Sequence, residues 1–265
     1  MLRKLKEKFL EMLFPTGNSC LACGAELKSG GDDNGGGRFS LCGDCLGSLP
    51  YISDGTQVCE KCGKPFLNEA RFCPECQNHG KVFERANSPL LYAGSAVKLV
   101  EGLKFLNKRY LAKPLGEFIA TEYIRRGYFA DLIIPVPMFP AAEKLRGFNQ
   151  SALLARTVSE ILNIEFCGDI LIKLRNTAHQ TALSAHERRK NLDGAFGIAG
   201  ADAESKKLKN KRVLLIDDVL TTGSTLNECA KSLLRAGASA VCALTASGTA
   251  YRPPSENASK NERRG

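Results

Sequence analysis

The 265-residue chain has no uninterrupted apolar run approaching the ~20 residues that a membrane helix needs, so it is not expected to span a bilayer. Its start, MLRKLKEKFLEMLF, has charges threaded through it and lacks the apolar centre and small-residue cleavage site of a secretion signal. The expected compartment is therefore the cytoplasm, where disulfides are disfavoured. Two nucleotide-binding fingerprints are also missing. Neither GxxxxGK(S/T) nor GxGxxG occurs, which argues against a P-loop NTPase and a Rossmann dinucleotide site. Acidic charge is scarce: 37 Lys and Arg face 28 Asp and Glu, a net +9. Residues 1–80 hold 9 basic and 10 acidic side chains, so 81–265 carry 28 and 18, a net +10. That field suits a phosphate-rich partner (nucleotide, nucleic acid or anionic surface) without choosing among them. What is present, 43% hydrophobic and 25% charged residues, is the composition of a folding chain long enough for one large or two modest domains.

Eight of the eleven cysteines precede residue 77, as Cys20-x2-Cys23, Cys42-x2-Cys45, Cys59-x2-Cys62 and Cys73-x2-Cys76. A two-residue spacing lets the chain turn a tight knuckle that aims both sulfurs, and often a backbone N–H, at one tetrahedral metal; a second knuckle closes the site to substrate. Gly24, Gly43 and Gly63 follow knuckle cysteines closely, where a turn needs a residue tolerant of positive φ. A thioredoxin-like motif would need a single CxxC on a βαβ unit, whereas these four sit in glycine-rich, helix-poor sequence. Two zinc ions are therefore expected. Sharing Cys20/Cys23/Cys42/Cys45 and Cys59/Cys62/Cys73/Cys76 is the simpler arrangement, and interleaved sharing stays open. His79 reads as a surface histidine. Such ribbons fold around their metal because their apolar content is too thin for a core. Residues 28–38, KSGGDDNGGGR, read as a flexible loop. In the leader, 1–18, Leu2, Leu5, Phe9 and Leu13 share a helical face that suits docking on the protein, with membrane contact a lesser alternative.

Residues 212–246, RVLLIDDVLTTGSTLNECAKSLLRAGASAVCALTA, carry the second signal. Val213–Ile216 suits a strand buried on both faces, Leu226, Cys229, Ala230, Leu233 and Leu234 recur at helical spacing before Gly237, and Ala240–Thr245 returns as a strand. This strand–loop–helix–strand unit predicts a parallel sheet with a right-handed crossover. Asp217 and Asp218 fall at the strand's carboxyl end, where open α/β sheets bind ligands. Thr221, Thr222, Gly223, Ser224 and Thr225 then supply hydroxyls and backbone N–H groups at a helix N-terminus, an anion cradle. Acids beside an anion cradle fit a sugar phosphate: the carboxylates accept hydrogen bonds from ribose hydroxyls while the loop holds the phosphate.

VLLIDDVLTTGST resembles the phosphoribosyl-pyrophosphate (PRPP) motif of type I phosphoribosyltransferases. Other segments sharpen the likeness. Asp131–Pro137 is a strand entering a proline-shaped loop, which ends in KLRGFNQ (144–150) and opens a helix over Ser151–Asn163 with Leu153, Leu154, Val158, Ile161 and Leu162 on its apolar side. QTALS (180–184) and ERRKNL (187–192) follow. With the cysteine-rich front, the order CxxC repeats, RGFNQ, QTALS, RRKNL and IDDVLTTGST is similar to the competence protein F (ComF) family. That resemblance implies an α/β, parallel-sheet type I phosphoribosyltransferase-like domain over 84–250, preceded by a small double zinc ribbon over 19–80. The tail, 251–265, reads as disordered.

By the type I pattern, Asp217 and Asp218 contact the ribose 2′ and 3′ hydroxyls and Thr221, Thr222, Gly223, Ser224 and Thr225 hold the 5′-phosphate. Lys144 and Arg146 are candidates for neutralising pyrophosphate, with Mg²⁺ bridging pyrophosphate and ribose oxygens through ligand and water. Gln180, Arg188, Arg189, Lys190 and Asn191 are candidates for a flap closing over pyrophosphate, although three adjacent bases are as often a solvated face. His179 and His186 flank that segment, and no general base follows from the sequence. The implied function is a PRPP-binding, phosphoribosyltransferase-like protein acting in DNA uptake, its acceptor unspecified and transfer itself left open. The alternative is a single-stranded DNA-binding competence protein whose PRPP pocket is regulatory or vestigial. Phe105 and Tyr110, beside Lys104, Lys108 and Arg109, offer stacking for that reading, though core or docking is the commoner role. A third reading makes the ribbons a platform for a competence-machinery protein. Lys206, Lys207, Lys209, Lys211 and Arg212 read first as a solvated approach to the strand and second as a nucleic-acid contact, and Cys167, Cys229 and Cys242 read as small buried hydrophobes.

Overall fold

A computed structural model describes residues 19–27, 40–67, 69–177, 192–200 and 203–251. The leader, the 28–38 loop, the tail beyond Tyr251 and the flap candidates Gln180, Arg188, Arg189, Lys190 and Asn191 lie outside the described residues.

At the centre stand two nine-residue strands, β7 (Arg212–Leu220) and β8 (Ala240–Gly248), paired in parallel with Val213 opposite Val241 and Leu220 opposite Gly248. On the far side of β7 runs β3 (Leu132–Pro135), followed by β4 (Glu165–Phe166). Two short strands, β1 (Ala86–Asn87) and β2 (Leu90–Leu91), share the outer edge of β8. Every pairing in this six-stranded sheet is parallel. Both central strands run farther than their apolar runs Val213–Ile216 and Ala240–Thr245 predict. Each pairs with the other along nearly its whole length, so polar residues remain strand: Asp217 faces Thr245, whose hydroxyl shares a 2.6 Å hydrogen bond with Ser88.

Alternation along the strands sorts side chains to two cores. Ile133, Leu214, Ile216 and Leu244 pack with α3 (Gly94–Phe105), α4 (Ala112–Arg125) and α6 (Gln150–Leu162). Leu132, Ile134, Val213, Leu215 and Ala243 pack with α8 (Ser224–Arg235) through Leu226, Cys229, Ala230 and Leu233. A separate antiparallel pair, β5 (Leu171–Lys173) with β6 (Phe196–Ile198), precedes and follows the flap candidates in the chain. One more helix, α7 (Ala203–Leu208), leads into β7.

The cysteine-rich front joins both cores. Cys20, Leu27, Leu41 and Leu49 belong to the cluster of α3, α4 and α6, while Cys59, Cys62, Phe66 and Cys73 belong to that of α8. The second ribbon sits so close to β1 that a Cβ on Gly63 would lie 2.4 Å from the Ala86 carbonyl oxygen, and its φ of +67° independently favours glycine. Among the described residues, no helix is long and apolar enough to cross a membrane.

Candidate functional site

The four CxxC pairs form two clusters, Cys20/Cys23/Cys42/Cys45 and Cys59/Cys62/Cys73/Cys76, each with its sulfurs within 4.8 Å of one another. The sharing is sequential, not interleaved. Each cluster is built the same way. A hairpin knuckle supplies the first pair, closed by Gly24 N–H on the Cys20 carbonyl (2.8 Å) in one ribbon and Gly63 N–H on the Cys59 carbonyl (2.7 Å) in the other. A one-turn helix supplies the second pair: α1 (Gly43–Gly47) capped by Cys42, and α2 (Pro74–Asn78) capped by Cys73. In α1 the Cys45 N–H donates to Cys42 Sγ at 3.4 Å, the charge-stabilising contact of a metal knuckle.

These donors fit zinc. A tetrahedral ion with Zn–S bonds near 2.3 Å holds its sulfurs about 3.8 Å apart. Cys23 to Cys42 and Cys62 to Cys73 both measure 3.7 Å. In the second cluster, thiol contacts from Cys62, Cys73 and Cys76 hold Cys59 far below the ordinary thiol range, while the contact with Cys59 drives Cys62 far above it. Four thiols clustered in this way are a donor set suited to a cation, which favours their thiolate form. None of the eleven cysteines forms a disulfide; Cys167, Cys229 and Cys242 are buried as expected, and His79 is exposed and outside both clusters.

The second site lies at the carboxyl end of β7. Asp218 is buried and Asp217 half-buried. The Ser151 hydroxyl, at the start of α6, donates to Asp217 Oδ1 at 2.8 Å. The Lys104 ammonium, in the last turn of α3, lies 3.0 Å from Asp218 Oδ2 as an ion pair, and that oxygen has no hydrogen bond among the described residues. Burial, then the neighbouring Asp218 charge, raises the Asp217 carboxyl to about 7; Ser151 and the Asp218 backbone N–H oppose the shift. Neither Lys104 nor Ser151 stood out in the sequence as a partner of the acids. The signal for Ser151 was its place directly after RGFNQ, at a helix start.

The RGFNQ segment explains that placement. Instead of an open loop, the chain after β3 forms α5 (Pro140–Arg146), ended by Gly147 in the left-handed region. Phe148 is buried under the Arg109 guanidinium, 4.7 Å from its ring centre. Asn149 caps α6: its carbonyl Oδ1 accepts from the Ser151 N–H and its amide donates to the Val136 carbonyl, each at 3.0 Å. Ser151 is thereby fixed opposite Asp217. Of the two pyrophosphate candidates, Lys144 is exposed, and Arg146 contacts Gln150 Oε1, Met138 Sδ and the Phe105 ring.

After β7, Thr221–Gly223 turns the chain into α8. Gly223 holds φ +69° as the N-cap; the Thr222 hydroxyl shares a 2.8 Å hydrogen bond with the Ser224 hydroxyl and accepts from the Ser224 N–H at 3.3 Å. Asn227 of α8 accepts from the Val82 N–H at 2.8 Å, tying the segment after the ribbons to the same helix. The structure thus brings Asp217, Asp218 and the hydroxyl-rich turn together at the carboxyl end of the central strand β7, with the dipole of a twelve-residue helix behind them.

Comparison with known proteins agrees with this two-part organisation. The double zinc ribbon domain family matches residues 9–77 and the phosphoribosyl transferase domain family matches residues 149–262. Competence protein F of Haemophilus influenzae is 31% identical over 208 residues, 76% of this chain and 86% of that protein. DNA utilization protein YhgH of Escherichia coli K12 is 32% identical over 210 residues, 77% of this chain and 88% of that one. Competence protein ComFC of Bacillus subtilis is 22% identical over 76% of this chain and 80% of its own. Among solved structures, the glutamine PRPP amidotransferase of B. subtilis overlaps with a TM-score of 0.36 at 21% identity, covering 52% of this chain and 26% of that one. The purine phosphoribosyltransferase of Pyrococcus horikoshii overlaps at 0.32 and 18%, covering 54% and 78%.

Proposed function

Because this chain belongs to the ComF family, a double zinc ribbon joined to a phosphoribosyltransferase-like domain, we propose that it binds PRPP with Mg²⁺ at the end of β7 and serves DNA uptake or use. The observation that carries this reading is the juxtaposition of Asp217 and Asp218 with the Thr221–Thr225 turn at the carboxyl end of the central parallel strand β7. The acids accept from the ribose hydroxyls. Gly223, in the left-handed region, aims the turn's N–H groups and the Thr222 and Ser224 hydroxyls at the 5′-phosphate. Lys144 and Arg146 stand in α5, the segment after β3 assigned to pyrophosphate. Mg²⁺, if bound, would supply positive charge against the pyrophosphate, with Asp217 and Asp218 the nearby carboxylates that could hold its water shell. Among the described residues the buried Asp218 Oδ2 has only its ion pair with Lys104, which leaves it able to accept from a ligand hydroxyl or a water. If transfer occurs, the C1′–O bond to pyrophosphate breaks with its electron pair leaving on oxygen. The acceptor then bonds to C1′ and releases a proton, so that positioning and charge neutralisation supply the rate.

The test is calorimetric titration of the full chain with PRPP, with and without Mg²⁺, beside the D217N/D218N double variant. Wild-type binding that the double variant loses, with zinc content unchanged, supports the assignment. Equal affinity in both proteins overturns it. Pyrophosphate release with a panel of acceptors then separates transfer from sensing.

The DNA-linked names of the relatives and the net +10 of residues 81–265 support a second property, contact with single strands. Phosphate contact requires affinity for a single-stranded oligonucleotide to fall steeply with salt. A flat salt dependence overturns this second reading and leaves the first intact.

A further inference from the structure

Phe105 is the last residue of α3 and leaves 63% of its surface exposed, although the sequence favoured a core or docking role for it. A lone exposed phenylalanine decides nothing. This one has two cations around it. The Arg146 guanidinium lies 5.7 Å from the ring centre and the Lys104 ammonium 5.8 Å. Lys104 also lies 3.0 Å from Asp218 Oδ2, so a single ammonium stands between the ring and the carboxylate assigned to the ribose. Arg146, for its part, has no carboxylate partner among the described residues. It contacts only neutral groups, the Gln150 and Met138 side chains and the ring, and so holds the ring in place without being neutralised.

We propose that Phe105 is the stacking surface of an acceptor subsite and that Lys104 is its hydrogen-bond donor, the ligand being a nucleobase, either free or in a single strand. The proposal rests on the donor reading for its orientation but draws on side chains that reading does not use. Three features select a base. With 63% of its surface exposed, the ring can take a planar heterocycle against it, and the two cations beside it favour an electron-rich partner. The ammonium beside it suits the ring nitrogens and carbonyl oxygens of a base edge. Finally, ribose hydroxyls donating to Asp218 compete with Lys104 for the same oxygen, releasing the ammonium toward the base only when the donor is seated. Binding on the two sides is thereby coupled.

The full zinc-loaded chain is titrated with adenine, guanine, cytosine and thymine, and with short single-stranded oligonucleotides, each with and without PRPP and Mg²⁺. Wild type, F105A and F105W are compared, with circular dichroism and zinc content as fold controls. F105A is expected to weaken base or oligonucleotide binding about five- to hundredfold, to leave PRPP affinity within about twofold, and to be rescued by F105W. A loss confined to free bases identifies a small acceptor, and one confined to oligonucleotides a strand. Unchanged base and oligonucleotide affinities in F105A, or no binding of either by wild type in any condition, overturn the platform. Failure of wild type to bind PRPP overturns the donor reading instead, and the F105A effect measured without PRPP still decides the platform.

Discussion

The Lys104 ammonium lies 3.0 Å from Asp218 Oδ2, joining the end of α3 to the acidic end of β7, with the aspartate side chain 7% and the lysine side chain 29% exposed. Burial works against the Lys104 charge, yet Asp218, and after it Asp217, outweigh burial and hold its pKa above the ordinary lysine value. Removing the lysine strands a buried carboxylate. K104M is expected to cost about 2–3 kcal/mol, short of the ~3–5 kcal/mol of a fully buried pair because the lysine keeps a route to water. Adding D218N to K104M removes the stranded charge and should recover much of that loss. A double-mutant cycle by urea unfolding measures both, and additive single effects would show that the contact contributes nothing.

Asp217 predicts two pH dependences of opposite sense. Its carboxyl is raised from 3.8 to about 7, by burial first and by Asp218 second. Between those values the folded protein keeps a proton that the unfolded chain releases. Stability therefore falls as pH rises from about 4 through about 7 and levels off above, and D217N should remove this component. PRPP binding needs the carboxylate to accept from hydroxyls, so affinity should climb across the same upper limb. Ser151 stabilises the anion through its 2.8 Å hydrogen bond, so S151A should move the midpoint of PRPP affinity to higher pH. A midpoint that stays in place in S151A would remove the hydroxyl from this role.

Gly223 makes the turn into α8 at φ +69°. A Cβ there would meet Leu220 Cδ1 at 3.5 Å and Phe83 at 3.7 Å, ordinary contacts, so the cost of G223A is conformational and not steric. A single L-residue in the left-handed region loses about 1–2 kcal/mol. G223A should show that loss in urea unfolding. If the chain escapes the strain by changing φ, stability returns and PRPP affinity falls instead, because the turn no longer aims its N–H groups. Wild-type values for both quantities would deny the glycine its role.

The parts of this molecule that were legible in its sequence are those written in local pattern. The CxxC spacing carries the knuckles, the apolar run before Asp217 carries the strand, and the periodicity of Leu226, Cys229, Ala230 and Leu233 carries α8. The double ribbon and the parallel sheet follow from these. What stayed hidden depends on contacts between distant segments. Lys104 reads as one base among several beside an aromatic residue, and only the packing of α3 on the sheet brings it to Asp218, 114 positions away. The α5 helix is hidden because three prolines around residues 135–140 mask a short helix that one of them starts, Pro140 at its first turn. The full length of β7 and β8 is set by mutual pairing, so no run of apolar residues marks where either one ends.

The two ribbons share one construction but not one environment, and this predicts unequal metal release. Cys59, Cys62 and Cys73 are buried and Cys76 is half-buried, within the core that holds α8. In the first ribbon only Cys20 is buried, Cys42 and Cys45 are half-buried, and Cys23 is exposed beside a cleft of about 450 Å³ against α3, lined by Leu99, Lys98 and Lys108 among others. A chelator reaches the first cluster through that cleft, whereas the second opens only when Phe66 and Gly63 leave β1 and the sheet core. Chelation followed by a zinc-sensitive dye should therefore release about two equivalents per chain in two phases, one fast and one slow. C23S should abolish the fast phase and leave the α/β core folded. C62S should abolish the slow phase and lower the unfolding midpoint of the whole chain, since its sulfur is part of the α8 core. A single phase, or a C23S protein that still releases two equivalents, would contradict the unequal burial of the two sites.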